Sequence, residues 1–157
     1  MTTIKEIKDA NEKRQIARSI LEALIDWFEV REYREEFIEK SGDKLFLCAF
    51  EDDKPAGFIC LTETGKDTVE IYVLGVLKEY HKCGIGRKLV DEVRRIGKEN
   101  GYSFLQVKTV RMGMYEEYDR TNRFYLAVGF KEFEVFPDLW DEANPCQVYV
   151  MSLKDEV

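Results

Sequence analysis

The chain has few of the residues that usually hold metals. It has one histidine, His81, and four cysteines, Cys48, Cys60, Cys83 and Cys146, no two within four residues of each other. That pattern excludes the familiar zinc spacings, so no metal site is expected. Cys48 and Cys60 stand in apolar runs and read as small hydrophobes. Prolines number 3 in 157 residues, with no Pro/Gly-rich stretch, internal repeat or low-complexity tract. Nothing resembles a linker, and one domain over residues 1–157 is expected. No apolar run approaches the length that spans a bilayer. The N-terminal MTTIKEIKDANEKR is charged from Lys5 onward, unlike a signal peptide. These absences predict a reduced, cytoplasmic protein without membrane association. Positive charge is also short: 24 Lys and Arg stand against 31 Asp and Glu, a net charge of −7. That balance disfavours nucleic acid, which is gripped mainly by Lys and Arg. It suits a cationic small molecule or basic peptide, and serves solubility equally well.

What is present is a globular composition, 45 % apolar and 13 % aromatic. Ile16, Ile20, Leu24 and Trp27 recur at helical spacing and predict a helix over 11–28, with Asn11 as N-cap. A second short helix is predicted over 31–40, ending near Gly42. LFLCAF (45–50) and GFICL (57–61) flank a Pro-containing turn and read as a hairpin. VEIYVLGV (69–76) completes a three-strand meander. Strict alternation there places Val69, Ile71 and Val73 on one face, and Glu70, Tyr72, Leu74 and Val76 on the other. Ile85, Leu89, Val93 and Ile96 mark a helix over 85–99, stopped by Gly101. A strand over 103–110, a helix over 119–128 and strands over 130–136 and 146–153 follow, with FPDLWDEANP linking the last two. A helix between the 69–76 and 103–110 strands makes them parallel. The expected fold is an α/β single domain with a mixed, mostly antiparallel sheet flanked by helices.

The stretch VLKEYHKCGIGRKLV (76–90) joins a strand to a helix through two glycines. The first N–H groups of a helix lack intrahelical partners and carry partial positive charge. Gly84 and Gly86 let the backbone bend and a ligand approach, and Lys82, Arg87 and Lys88 add cations. This is an anion site suited to phosphate or pyrophosphate. It is not a nucleoside-triphosphate loop, because Gly-Lys-Ser/Thr is missing. Nor is it the dinucleotide fingerprint, whose third glycine is replaced by Leu89.

His81-Lys82-Cys83-Gly84-Ile85-Gly86 resembles the signature of the GNAT superfamily of N-acetyltransferases: Arg or Gln, two variable residues, Gly, one variable residue, then Gly or Ala. His81 departs from it at the first position. FYLAVGF (124–130) resembles the family's F-Y-x-x-x-G-F segment, and the order of elements over 11–153 matches. The resemblance implies the GNAT-like acyl-CoA N-acyltransferase fold. It implies acetyl-CoA as donor and a primary amine of a small molecule or peptide as acceptor, joined by direct attack in a ternary complex. Residues Lys82, Cys83, Gly84, Ile85, Gly86 and Arg87 would take the pyrophosphate, with one hydrogen bond available from His81. The backbone of Leu74 and Val76 would line the pantetheine arm, and Gly75 between them permits a local kink. Glu70, eleven residues before His81, matches the general-base glutamate of the family's histone-modifying branch. Tyr125 matches its general-acid tyrosine. The family's usual asparagine aligns with Tyr118, with Asn122 nearby; neither is assigned. Trp27, Phe28, Tyr33, Tyr115 and Trp140, with Asp26, Glu29, Asp138, Asp141 or Glu142, are candidates for holding a cationic acceptor. Family dimers are common, so a homodimer is compatible with this reading. Two rival readings are a coenzyme A-binding module without catalysis and a phosphate-binding α/β domain for another nucleotide.

Overall fold

The computed structural model describes residues 1–154. In chain order the elements are β1 (Thr2–Ile7), α1 (Ala10–Ala23), α2 (Arg31–Ser41), β2 (Leu45–Glu51), β3 (Lys54–Gly65), β4 (Thr68–Val76), α3 (Ile85–Glu99), β5 (Phe104–Val110), α4 (Glu116–Ala127), β6 (Lys131–Asp141) and β7 (Asn144–Ser152). A short 3₁₀ turn, Lys78–Tyr80, follows β4. The strands form one sheet in the order β1-β2-β3-β4-β5-β7-β6. β4 and β5 pair in parallel, from Thr68↔Phe104 to Ile71↔Val107, as the helix between them requires. The β1–β2, β2–β3, β5–β7 and β6–β7 pairs are antiparallel. This is the mixed, mostly antiparallel sheet that the sequence predicts.

Packing contacts group the chain into two units. One comprises Met1–Thr62 with Tyr72–Val93. Its core places Ile16, Ile20, Leu21 and Leu24 from α1 and its end, and Ile38 from α2, against Phe46, Cys48, Phe58, Cys60 and Val73 of the strands. Phe46 and Phe58 stack with ring centroids 5.1 Å apart. Full burial of such a side chain contributes about 1.5–3 kcal/mol. The β2–β3 connection turns through Asp52 and Asp53, with φ of 50° and 67°. Positive φ at both positions matches the right-handed twist of the strands it joins.

The other unit comprises Glu63–Ile71 with the chain from Arg94 on. Within it Tyr125 packs edge-on to Phe130, with ring centroids 5.5 Å apart, and near Tyr149. Gly129, at φ 113°, ends α4.

Four local expectations are corrected. β1 was not expected, because TTIKEI buries only Ile7 and is otherwise an exposed edge. The N-cap of α1 is Asp9, whose Oδ2 accepts from the Glu12 amide at 2.9 Å, not Asn11. α1 ends at Ala23 instead of residue 28; the amides of Trp27 and Phe28 turn back onto the Leu24 carbonyl, each at 3.1 Å. IDWFEV has few good helix formers, so packing of its two aromatics decides its path. Finally, β6 runs on to Asp141, where a linker was expected. Its register against β7 shifts between Phe136 and Asp141, so Pro137–Trp140 bulge from the edge, where a missing N–H is tolerated.

β4 carries the correction that matters most for function. Val69 lies on the α3 side, 3.6 Å from where a Cβ on Gly97 would stand. Tyr72 and Val73, although adjacent, both pack on the cluster under α1 and α2. A Cβ on Gly75 would meet Ile20, Leu24 and Phe58 of the same cluster, whereas the Val76 side chain lies beside Gly57 with Ile85 of α3. Alternation therefore slips by one residue between Ile71 and Val73, as at a β-bulge. Glu70 does not share a face with Leu74 and Val76.

Two outcomes are expected. A Cβ on Gly57 would stand 3.0 Å from the Gly75 carbonyl and 3.1 Å from Val76 Cγ2. Gly57→Ala is expected to cost about 1–3 kcal/mol in urea unfolding, with unchanged m-value. Burial pushes the thiols of Cys48 and Cys60 up to about 12 and that of Cys146 to about 11, from an ordinary 9.0. Their contribution to stability is complete below pH 9, where folded and unfolded thiols are both protonated. Above it the unfolded thiols ionise first, and stability falls by up to about 1.4 kcal/mol per pH unit per thiol until the folded values are passed. Urea midpoints from pH 8 to 11 test this, and a thiol reagent at pH 8 should modify exposed Cys83 fast and the three buried cysteines only on unfolding.

Candidate functional site

The phosphate-binding features of the sequence lie in the first unit. After β4, the Leu77 amide bonds to the Ala56 carbonyl at 2.9 Å, which fixes where the loop leaves the sheet. The Tyr80 and His81 amides then close onto Leu77 and Lys78. Lys82 has φ 65° and Gly84 φ 82°. Left-handed residues alternating with ordinary ones are the backbone pattern of an anion nest; here the Cys83 amide between them donates to the Tyr80 carbonyl at 3.3 Å. α3 begins directly afterwards. The amides of Ile85, Gly86 and Arg87 precede its first intrahelical bond, from Lys88 N–H to the Gly84 carbonyl at 3.0 Å. Lys82, Arg87 and Lys88 are exposed around this end, while Ile85 and Leu89 anchor the helix in the core. A left-handed lysine is uncommon enough to point to function.

His81 takes a different course from the one implied by the signature. Its Nε2 lies 2.7 Å from the Val76 carbonyl oxygen. A carbonyl only accepts, so Nε2 carries the proton. The same ring meets Trp27 edge-on at 5.7 Å.

The second unit holds Glu70, Tyr125 and Asn122. Glu70 is 7 % exposed, and its Oε1 accepts from Gln106 Nε2 at 3.0 Å and Lys108 Nζ at 2.9 Å. Lys108 was not singled out from the sequence. Its only signal was a place two residues from Gln106 on a strand predicted parallel to Glu70's, and strand register is not written in either segment. Tyr125 is 6 % exposed, and burial raises its pKa, so the phenol keeps its proton. Asn122 is fully buried. Its Nδ2 donates to the Val110 carbonyl at 2.8 Å and the Tyr118 carbonyl at 2.7 Å, while its Oδ1 accepts from the Tyr149 hydroxyl at 2.6 Å. These bonds make Asn122 a brace between α4, β5 and β7. An open depression of about 280 Å³ is lined by Gln106, Lys108, Phe133, Phe136, Leu139 and Val148.

The expected acceptor aromatics do not form one cluster within either unit. Phe28 packs edge-on against Phe37 at 5.7 Å, and Tyr33 is exposed on α2. The Tyr115 hydroxyl donates to the Ala143 carbonyl at 3.1 Å, and Trp140 stands 45 % exposed on β6. Asp26 is paired with Lys78 Nζ at 2.7 Å. Among the described residues, no His/Cys/Asp/Glu group is placed to hold a metal, and no helix is long and apolar enough to cross a membrane.

Residues 13–130 match the Acetyltransferase (GNAT) family. The chain belongs to that family. A Bacillus subtilis (strain 168) protein, named as a candidate acetyltransferase, is 32 % identical over 85 residues, which is 53 % of this chain and 57 % of that protein. The match thus spans little more than half of that relative. Solved structures share the fold. A GNAT-family protein from Desulfovibrio desulfuricans superposes with a TM-score of 0.84 at 22 % identity, over 98 % of this chain and 100 % of that one. The aminoglycoside 6′-N-acetyltransferase of Enterococcus faecium gives 0.77 at 17 % identity, over 99 % of each chain. YncA of Salmonella typhimurium, solved with its cofactor acetyl-CoA, gives 0.74 at 14 % identity, over 100 % of this chain and 96 % of that one.

Because Asn122 satisfies three buried groups, Asn122→Ala is expected to lower stability by about 2–3 kcal/mol. Tyr149→Phe should cost about 1 kcal/mol, and the double variant less than the sum. Urea unfolding of the four proteins checks both statements.

Proposed function

We propose that this chain transfers the acetyl group of acetyl-CoA to a primary amine of a small molecule or peptide, by direct attack in a ternary complex. The observation that carries this reading is the nest at Lys82 and Gly84 opening onto the start of α3, in a chain of the GNAT family. Lys82, Cys83, Gly84, Ile85, Gly86 and Arg87 fit a pyrophosphate. They offer the amides of the first turn of α3, two cationic side chains and a glycine where a left-handed turn is needed. Leu74 and Val76 border the pantetheine arm through their backbone.

Acetyl-CoA supplies an activated thioester carbonyl, at which a C–N bond forms as the C–S bond breaks. An alkylamine is almost fully protonated at pH 7, so a proton must leave before attack. Glu70 accepts it; Gln106 and Lys108 hold Oε1, which leaves Oε2 for this task. Tyr125 donates its phenolic proton to the departing sulfur, and its burial keeps that proton in place. The depression beside Gln106 and Lys108 is the proposed seat for the body of the acceptor. The ammonium of Lys108 at its edge argues for a monoamine on an apolar body over a polycation.

A second reading, a coenzyme A-binding module without catalysis, is favoured by one observation: Glu70 already has two partners that explain it as a structural ion pair. Thiol release over a panel of amines separates the two. The enzyme reading expects release with at least one amine, a fall in kcat of about 10²-fold in Tyr125→Phe, and a similar fall in kcat/KM in Glu70→Gln that shrinks toward pH 10. Thermal protection by coenzyme A without release from any amine supports the module. Protection by ADP but not by coenzyme A overturns both.

A further inference from the structure

We infer that His81 is a positioning residue that couples occupation of the coenzyme loop to the Leu24–Val30 connection between α1 and α2. This rests on the reading of residues 82–87 as the coenzyme's pyrophosphate seat. Two contacts run from the loop to that connection. His81 sits edge-on against Trp27 at 5.7 Å, and Lys78 Nζ binds Asp26 Oδ2 at 2.7 Å while lying 5.7 Å from the centre of the Trp27 ring. His81 itself is tied to the end of β4 by the 2.7 Å bond from Nε2 to the Val76 carbonyl. One imidazole thus touches the strand end, precedes the left-handed Lys82, and braces an indole three residues beyond the buried end-cap of α1, Leu24.

The ring and the carbonyl set one geometry for three pieces of chain. A ligand that engages the amides from Lys82 onward restricts the backbone on which His81 stands. That restriction passes through the imidazole to Val76 and Trp27. Ordering the Trp27 segment together with the loop makes the two respond as one, so anything that engages the connection tightens the coenzyme by linkage. His81 acts here through Val76 and Trp27, not by touching the reacting atoms. The bond to Val76 needs only a donor at the Nε2 position. A glutamine can place its side-chain amide there, but it has no ring to set against Trp27.

The test uses the full chain with Trp140→Phe, which leaves Trp27 as the sole indole of the two. Coenzyme A is titrated while tryptophan emission is followed, in this background and with His81→Ala or His81→Gln added. Unchanged thermal midpoints confirm that the exposed site tolerates both changes. Coupling predicts that coenzyme A shifts Trp27 emission, that His81→Ala abolishes the shift, and that it raises Kd about 3- to 10-fold, the worth of one hydrogen bond. His81→Gln should restore Kd to within about 2-fold but only part of the emission shift. An emission shift and Kd that stay unchanged in His81→Ala overturn the coupling and leave the acetyltransferase reading standing. Absence of any coenzyme A binding to the parent protein overturns that reading, and the coupling with it.

Discussion

Strand β4 changes phase once, between Ile71 and Val73, and the side chains before and after that slip meet different neighbours. Upstream of it, Val69 faces α3 and Glu70 faces Gln106 and Lys108. Downstream of it, Val73 and Gly75 face the cluster under α1 and α2, so that Val76 comes to Gly57 and Ile85 and offers its carbonyl to His81. Regular alternation would have kept Glu70 and Val76 on one face. The slip lets a single strand present a carboxylate to one set of neighbours and a backbone edge to another.

Two kinds of chemistry follow, each governed by a different physical term. The turn before α3 presents backbone amides whose partners are missing for a geometric reason, since a helix cannot satisfy its own first turn. Left-handed Lys82 and Gly84 bend the chain into that turn. Side chains add charge there but do not create the site. Around Glu70 and Tyr125 the ruling term is burial. A nearly buried carboxylate is compensated by an ammonium and an amide, and a buried phenol is held in its protonated form. Asn122 shows the same economy without chemistry: three good bonds in a dry environment make it a brace.

Much of this was legible in the chain itself. The helix over 85–99, the strands flanking it and the hairpin at Asp52–Asp53 follow from periodicity and turn residues, because these patterns depend on neighbours in sequence. The proposed anion site was legible for the same reason. Glycines, cations and a helix start within ten residues define it without help from distant segments. The family signature around Gly84 and the FYLAVGF segment are local as well. By contrast, β1 fully buries one residue in six, and its half-buried Thr2 and Ile4 make only a weak alternation. The last part of β6 hides behind a proline and a register shift.

What the sequence by itself determined is the order of elements after β1, the glycine turn before α3 and the family, all written over short ranges. Only the tertiary structure decided which side chains meet. It paired Lys108 with Glu70, turned His81 onto Val76 and Trp27, drew Asn122 into the core, and slipped β4 by one residue. Each of these depends on register or on packing between segments far apart in the chain. A one-residue change of register reverses every side chain beyond it, and no local pattern records that choice.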